Sequence, residues 1–514
     1  MPANTQHPQY EASLSRWQRC RTVVAGEDAV KEAKQSFLPK LEDQTEEEYD
    51  AYLLRAQFFN ASGRTLNSMT GLVFRTDPQI EAKGLEEFIT DATLSGQTFY
   101  DYMKEMVKEV VTTGRAGTLV DWSEDEKRPF FALYRAEQIL NWRTQRIAGK
   151  MRLAMVALHE SVIAGDEDND TNESAAPVKA ATTANLTPQA TGIAPSGEDE
   201  FEPDVEEQIR VLRLAQNGAA FIYTVDVYRK VKEKGSNEEK WVLQTSRIPS
   251  RRGATLDVIP FVFHGPNNGK PDVDAPPLDD LASVNLSHYR SSADLEHGRH
   301  FTALPTAWAS GFDPKARLCI GSTTAWVTDQ PNARAAFLEF TGQGLGALER
   351  ALDHKEHQMA VLGARMLEQH KKAVEAAAAM RIKQTGEAAT LKTIVTSLSE
   401  SLSTALRFAS FFISPKDVAI ETLAAKVELN TNYSEEKMTP QEITALVGAW
   451  QAGAMSRDSM LYNFKQADLL NPARTPEEEL ALLESEDGAR AMAGAKFGAT
   501  GKPPVGGGKP APGV

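Results

Sequence analysis

The nearest thing in this sequence to a phosphate-binding loop is GPNNGKP at Gly265–Pro271. A Walker A loop needs four residues between its glycines and a Ser or Thr hydroxyl after the lysine to meet Mg²⁺. Here three residues separate the glycines, and Pro271 occupies the hydroxyl position, so the segment reads as a surface turn. GQGLG at Gly342–Gly346 has its third glycine one residue early for a dinucleotide fingerprint, and no clear βαβ unit surrounds it. His297 with His300, and His354 with His357, stand three apart on expected helices, a spacing that could put each pair on one face. A metal would require a third ligand such as Glu296 or Glu356, and neither stretch matches HExxH, so solvated helix faces are expected. Neither Cys20 nor Cys319 has a nearby histidine in sequence, and there is no GxSxG elbow. The expectation is a protein that is not an enzyme, with no catalytic residue, cofactor or metal. One polar cluster stands out: Arg365, His370, Lys371, Lys372, Arg381 and Lys383, centred on the joint EQHKK. It reads either as a solvated turn or as a mobile loop presented to a polyanion, with Gln369, His370, Lys371 and Lys372 as the residues in question.

The elements around these residues belong to a chain of 514 residues, long enough for two to four domains with real cores. Its composition is that of an ordinary soluble protein, and two cysteines cannot build a disulfide framework. They suit a reducing cytoplasm. The N-terminal MPANTQHPQYEASLSRWQRC has no apolar core region, so no signal peptide is expected. No run of 18 apolar residues exists, which argues against a membrane span. The formal charge of −15 is unevenly spread: residues 160–206 hold twelve acids and Lys179 alone, a net of −11, leaving −4 for the rest. Gly488–Val514 holds four cations and no acid. A uniformly basic nucleic-acid binder is excluded, whereas a protein that meets DNA without gripping it is not.

Residues 10–75 carry apolar residues at helical spacing, with a capping box expected at Thr45 and Glu48. Helix continues over Gly84–Thr113, followed by strand-like runs AGTLVDW, PFFALYRAEQILNW and MRLAMVALHE. Residues 161–206 have almost no large apolar side chain and read as a disordered acidic insertion. A hairpin is expected around Asn217-Gly218, then strands at KWVLQTSRI and TLDVIPFVFHG. A helix follows Pro276-Pro277 and stops near Pro305. From Gly342 to Phe412 there is no proline, and Leu391, Ile394, Val395, Leu398, Leu402 and Leu406 form the stripe of an amphipathic helix. That stripe does not continue as heptads through Lys371–Glu375, which weakens a coiled coil and favours a helix that traverses an assembly. After Phe412 come a strand-containing return, short helices between Pro440 and Met492, and a Gly/Pro/Lys tail from Phe497. The fold class expected is α+β, helix-rich at both ends with a strand-rich middle.

Several passages in this order resemble the portal protein family of tailed bacteriophages, the head-to-tail connectors: GRTLNSMTGLVFRTDP, YRAEQILNWR, VIPFVFHG, PPLDDLASVNLSHYRSSADLEHGRH and EAAAAMRIKQTGEAATLKTIVTSLSESLSTALRFA. The resemblance spans roughly residues 10–470 and lies in the joint order of the blocks. A T-A-x-E-like motif opens the long helix in that family; here the position reads Val374-Glu375-Ala376-Ala377 and is degenerate. The resemblance implies a wing over 1–276 containing the 161–206 insertion, a stem helix over 277–303, a clip over 304–342 and a second stem helix over 343–366. It further implies a tunnel loop over 367–374, the long helix and wing return over 375–439, a crown over 440–496 and a flexible tail over 497–514. Such a chain would form a homo-oligomeric, dodecameric ring at one capsid vertex of the virion, made in the bacterial host cytoplasm, and would pass double-stranded DNA without tight binding. Its partners would be terminase, scaffold, major capsid and head-completion proteins, with no membrane, no cofactor, and Gln369, His370, Lys371 and Lys372 facing the channel. The competing readings are another ring of the virion neck, an ATP-driven packaging enzyme, which the failed phosphate loop disfavours, and an unrelated helical scaffold, which leaves the strand-rich middle unexplained.

Overall fold

The computed structural model describes residues 3–147, 149–163, 205–217, 220–232, 239–303, 306–312, 326–338, 344–363, 377–415, 418–431, 433, 440–466, 469–470, 478–483 and 485. The chain forms two compact units, Met1–Thr431 and Asn432–Val514. As expected from the alternation of helical and strand periodicities, the fold is α+β.

The first unit opens with four helices, α1 (Pro8–Ala25), α2 (Glu27–Glu32), α3 (Glu46–Arg55) and α4 (Ala61–Val73). The expected capping box is present: Glu48 N donates to Thr45 Oγ1 at 3.2 Å, and Thr45 N donates to Glu48 Oε2 at 2.8 Å. Replacing Thr45 with Ala removes one half of that exchange and should cost about 1 kcal/mol in thermal or urea unfolding. Trp17 on α1 is fully buried, and Arg21 forks between Glu109 (2.5 Å) and Glu137 (2.7 Å), fixing α1 to the elements that follow.

Next come β1 (Gln79–Ala82), α5 (Glu86–Thr90) and α6 (Phe99–Thr113), whose apolar face carries Phe99, Tyr102, Met103, Met106 and Val110 into the core. Gly114, at φ 75, ends α6 in the left-handed conformation that favours glycine. A Cβ there would also fall 2.9 Å from the Ala275 carbonyl oxygen, so both backbone angle and close approach require this residue.

Strands β2 (Ala116–Ser123), β3 (Arg128–Arg135), β4 (Ile139–Ile147), β5 (Lys150–Ile163), β6 (Val205–Asn217), β7 (Ala220–Lys232) and β8 (Glu239–Arg247) follow, then the short β9 (Ser250–Arg251), β10 (Ala254–Thr255) and β11 (Phe261–His264). β4 to β8 form a five-stranded antiparallel sheet in sequence order, while β11-β2-β3 form a second sheet. The expected hairpin is there, with Asn217 opposite Ala220. Ser161–Ile163 and Val205–Glu206, read from sequence as the ends of the insertion, are strand residues, with Ile163 opposite Val205 and Val162 opposite Glu206. Residues 164–204, the body of that expected insertion, lie outside the described residues. The two sheets share one core, in which Phe130, Tyr134, Ile139, Val156, Leu158, Ile209, Leu212, Phe261 and Phe263 meet Trp17 of α1.

The remaining elements of this unit are α7 (Asp279–Ala303), β12 (Thr306–Ser310), β13 (Arg334–Leu338), α8 (Leu345–Val361), α9 (Ala377–Ile413) and β14 (Ala425–Glu428), which pairs with β1. β1 was not read from sequence: it has four residues and a half-exposed face, and its partner lies some 340 positions away. The second unit contains α10 (Pro440–Gln451) and α11 (Arg457–Gln466), the short helices expected after Pro440. The tail from Phe497 lies outside the described residues. No helix among the described residues is long and apolar enough to cross a membrane.

Candidate functional site

The α7–β12–β13–α8 excursion and α9 after it form the most distinctive part of the chain. The N-terminal two thirds of α7 is a core helix: Ala282, Leu286, Tyr289 and Ala293 are buried against Tyr49 and Tyr52 of α3 and Cys20 and Val23 of α1. Asn285 closes the contact with α4, accepting from Ser62 N and Oγ at 3.1 and 3.0 Å and donating to the Phe59 carbonyl at 2.8 Å. Along the same stretch and beyond it, α7 is also held by polar contacts with α8, which returns antiparallel to it. Lys355 Nζ donates to Ser287 O (2.9 Å) and Ser291 Oγ (2.6 Å), His288 pairs with Glu356 (3.3 Å), and Arg299 pairs with Glu349 (2.8 Å).

Between the two helices runs the two-stranded ribbon β12–β13, with Trp308 opposite Ala336 and Phe337 opposite Ala307. Adjacent residues on a strand point to opposite faces, so the ribbon carries one large aromatic on each. Trp308 is 42% and Phe337 52% exposed.

α8 ends at Val361, and Gly363 follows at φ 143, its missing Cβ 2.9 Å from Thr65 Cγ2 of α4. Gln369, His370, Lys371 and Lys372, the channel residues expected from sequence, lie outside the described residues, as does the whole 367–374 loop. α9 then begins at Ala377. All six positions of the apolar stripe read from sequence, Leu391, Ile394, Val395, Leu398, Leu402 and Leu406, are buried.

What the sequence did not reveal is how α9 is held on both sides of that stripe. Four alternate serines form two i,i+4 pairs, and each pair grips a different strand region. Ser397 Oγ donates to Gly265 O at 2.7 Å and Ser401 Oγ lies 2.8 Å from His264 Nδ1. On the other side Ser403 Oγ accepts from Val427 N (2.9 Å) and Ser399 Oγ accepts from Leu429 N (3.1 Å) at β14. TSLSESLS carries that arrangement openly, but serines on a helix are ordinarily solvated or bonded back to their own turn.

The candidate chemical groups resolve as follows. The GPNNGKP segment is the surface turn expected, with Asn267, Asn268, Gly269 and Lys270 exposed and its two ends held to the body. Asn267 donates to Asp274 Oδ1, Lys270 N donates to Asn268 Oδ1, and the Pro271 carbonyl accepts from buried Arg115 at 2.6 Å. Arg115 lies over Trp142 and Phe263, 4.0 and 4.7 Å from the ring centroids. His297 meets the Tyr52 ring edge-on at 5.2 Å, while His354 and His357 stand on the exposed face of α8. Glu296 pairs with Arg299 and Glu356 with His288, and among the described residues no three His, Cys, Asp or Glu side chains are grouped to hold a metal. Cys20 is buried, and burial beside Asp279 pushes its thiol up to about 12, so it stays protonated and inert at neutral pH. Cys319 lies outside the described residues.

The most elaborate buried polar groups are two that the sequence did not mark. Glu160 on β5 accepts from Tyr134, Arg210 and Gln208 beneath the five-stranded sheet. His264 at the end of β11 sits between Thr118 Oγ1 (2.7 Å) and Ser401 Oγ (2.8 Å), tying α9 to β2 and β11.

Residues 277–413, the span from α7 through α9, match a protein family described only as a domain of unknown function, DUF4055. No curated protein matches the sequence. Among solved structures, the chain is similar to one in the neck of an empty gene transfer agent particle, at 10% identity and a TM-score of 0.37, covering 81% of this chain and 92% of that one. A chain from the neck of the native particle, determined with C12 symmetry, gives 10% identity and a TM-score of 0.32 over 79% and 91% of the two chains. One from the virion of the native particle gives 11% identity and a TM-score of 0.35 over 84% and 96%.

Proposed function

We propose that this chain is the subunit of a portal, a ring at one vertex of a virus capsid through which double-stranded DNA is packaged and later ejected. The observation that carries the reading is the run α7, ribbon, α8, α9. A core helix leaves the body, a two-stranded ribbon turns it around, an antiparallel helix brings it back, and a 37-residue helix then crosses the strands of the same unit. In a portal these are stem, clip, stem and the long helix after the tunnel loop, in that order. The sequence blocks that resemble the portal family supply the rest of the assignment.

In this reading α7 and α8 are the stem and β12–β13 the core of the clip, where terminase and later the head-completion proteins dock. The two aromatics, one on each face of a ribbon too small to bury them, fit an element completed by neighbours. Gln369, His370, Lys371 and Lys372 face the duplex as the tunnel loop. A channel must not neutralise many phosphates, because each one adds affinity through counterion release. A body with a net charge of −4 outside residues 160–206 suits that requirement. The basic residues after Gly488 contact packaged DNA inside the head.

Negative-stain electron microscopy of the purified chain tests the reading: end-on views should show closed, dodecameric rings with a central hole. Monomers or dimers that persist when the scaffold protein is added would overturn it. Deleting the chain from its virus separates a portal from another ring of the neck. Loss of a portal leaves heads without DNA, whereas loss of a neck ring leaves filled heads without tails.

A further inference from the structure

The residues before α1 are held on the five-stranded sheet by contacts that converge on one titratable ring. β4 is an edge strand of that sheet, paired with β5 alone. The N-terminal segment lies along it: His7 N donates to the Leu140 carbonyl at 2.9 Å, and Asn141 Nδ2 donates to the Thr5 carbonyl at 2.9 Å. A segment so placed shields backbone groups that an open edge would offer to another chain. The His7 ring lies nearly flat on the Trp142 indole, with centroids 4.0 Å apart and planes inclined by 22°. Its Nδ1 accepts from Gln9 N at 3.2 Å, so His7 is the side-chain N-cap of α1. Gln9 Oε1 in turn accepts from Val273 N at 3.2 Å, which ties the start of α1 to the loop after Pro271.

This cap works in one protonation state. A backbone N–H only donates, so Nδ1 must offer its lone pair and the neutral ring carries its proton on Nε2. A second proton would sit on Nδ1 and meet the Gln9 N–H donor to donor. The new charge would also stand at the positive end of α1. Arg115, at the start of β2, repels it as well: the guanidinium lies 4.0 Å from the centroid of the same indole, and its Nε and Nη2 are buried without a hydrogen-bond partner. Asp272, in the loop, is the one acid that favours the charged ring. Burial and Arg115 outweigh it and hold the ring below its ordinary pKa of 6.5. We infer that His7 is a pH-operated clasp: the neutral ring holds the N-terminal segment on the edge of β4, and protonation releases it. Release uncovers the Trp142 ring and the Leu140 carbonyl. A freed His7 titrates near 6.5 and a clasped one lower, so the closed form is fully favoured above pH 6.5 and loses ground as pH falls below it. Every group involved lies within one chain, so the clasp does not depend on the ring reading above.

Hydrogen exchange of the full-length chain, read by mass spectrometry on the N-terminal peptide, tests it. The His7 and Gln9 amides have these partners only in the closed form. Their protection, taken relative to the intrinsic exchange rate at each pH, should fall at least about threefold from pH 7.5 to pH 5. His7→Asn supplies a good cap that cannot titrate, and it should keep the peptide equally protected at both pH values. Asp272→Asn removes the acid that favours the charged ring and should move the loss of protection to lower pH. Wild-type protection that is the same at pH 7.5 and pH 5 would overturn the inference. So would an equal loss in wild type and His7→Asn, which would put the trigger on another group. If His7→Asn leaves the peptide unprotected even at pH 7.5, the Asp272→Asn profile decides: a shift to lower pH supports the clasp, and an unmoved transition rules it out.

Discussion

Replacing Glu160 with Ala should destabilise the first unit by about 3–5 kcal/mol, the expected cost of breaking a buried ion pair from one side. Glu160 is fully buried, and Arg210, also buried, donates to its Oε1 from 2.8 Å. Tyr134 donates to the same oxygen and Gln208 Nε2 to the other at 2.7 Å. Gln208 lies opposite Arg229 in the ladder and accepts from it at 3.3 Å, so the group crosses β5, β6 and β7 and reaches β3 through Tyr134. Removing the carboxylate takes a shared acceptor away from one buried cation and two neutral donors, while Asp121 still acts on Arg210. Burial and the neighbouring carboxylate hold the Tyr134 phenol well above its ordinary pKa, so it remains a donor at any pH in which the protein is folded.

Urea unfolding followed by tryptophan fluorescence measures the loss. A midpoint for Glu160→Ala that is indistinguishable from wild type would show that the group is solvated. A second variant, Glu160→Met with Arg210→Met, should recover most of the stability, because the two charges of the buried pair are then removed together.

The sequence made some of this architecture legible and concealed other parts for identifiable reasons. The stripe from Leu391 to Leu406 was legible because one helix face is buried along its whole length, and burial writes a 3.6-residue period. The Asn217-Gly218 hairpin and the Thr45 capping box were legible because each is specified within a few residues. Glu160 was not. In sequence it stands beside the acids of 166–173 and looks like the first of them, whereas the fold pairs it with residues 26, 48 and 50 positions away. Arg115 and His264 were hidden in the same way, since one polar residue at the end of an apolar run carries no periodic signal. The α7–α8 return was legible as two helices around a mixed segment. Its antiparallel pairing was not, because Lys355, His288, Arg299 and Glu349 look like any solvated helix face until their partners are known. Of the candidate site, the order of elements was readable and the polar contacts that fix α9 were not.

His264 should make the first unit lose about 2 kcal/mol between pH 7.5 and pH 5. The ring is completely buried, and burial alone drives its pKa down from 6.5 to about 3. Its hydrogen bonds define one neutral tautomer. Ser401 Oγ donates to the Leu398 carbonyl at 3.1 Å, so it accepts from His264 Nδ1–H. Nε2 therefore accepts from the Thr118 hydroxyl, which in turn accepts from Tyr102. A second proton on the ring would face the Thr118 hydroxyl donor-to-donor and reverse the chain. In the unfolded chain His264 titrates near 6.5, while in the folded chain it refuses the proton until pH falls to about 3. The unfolded state consequently binds more protons throughout that window. Stability is at its plateau above 6.5 and declines as pH falls towards 3, by about 1.4 kcal/mol per unit once below 6.5. His264→Gln keeps one donor and one acceptor but cannot titrate. It should be less stable than wild type at pH 7.5 through imperfect packing, and the gap should close by about 2 kcal/mol at pH 5. A gap of equal size at both pH values would mean that His264 is free to take up a proton in the folded chain. In that case the link from α9 through Ser401 to β11 and β2 would not be the closed, dry contact that the distances describe.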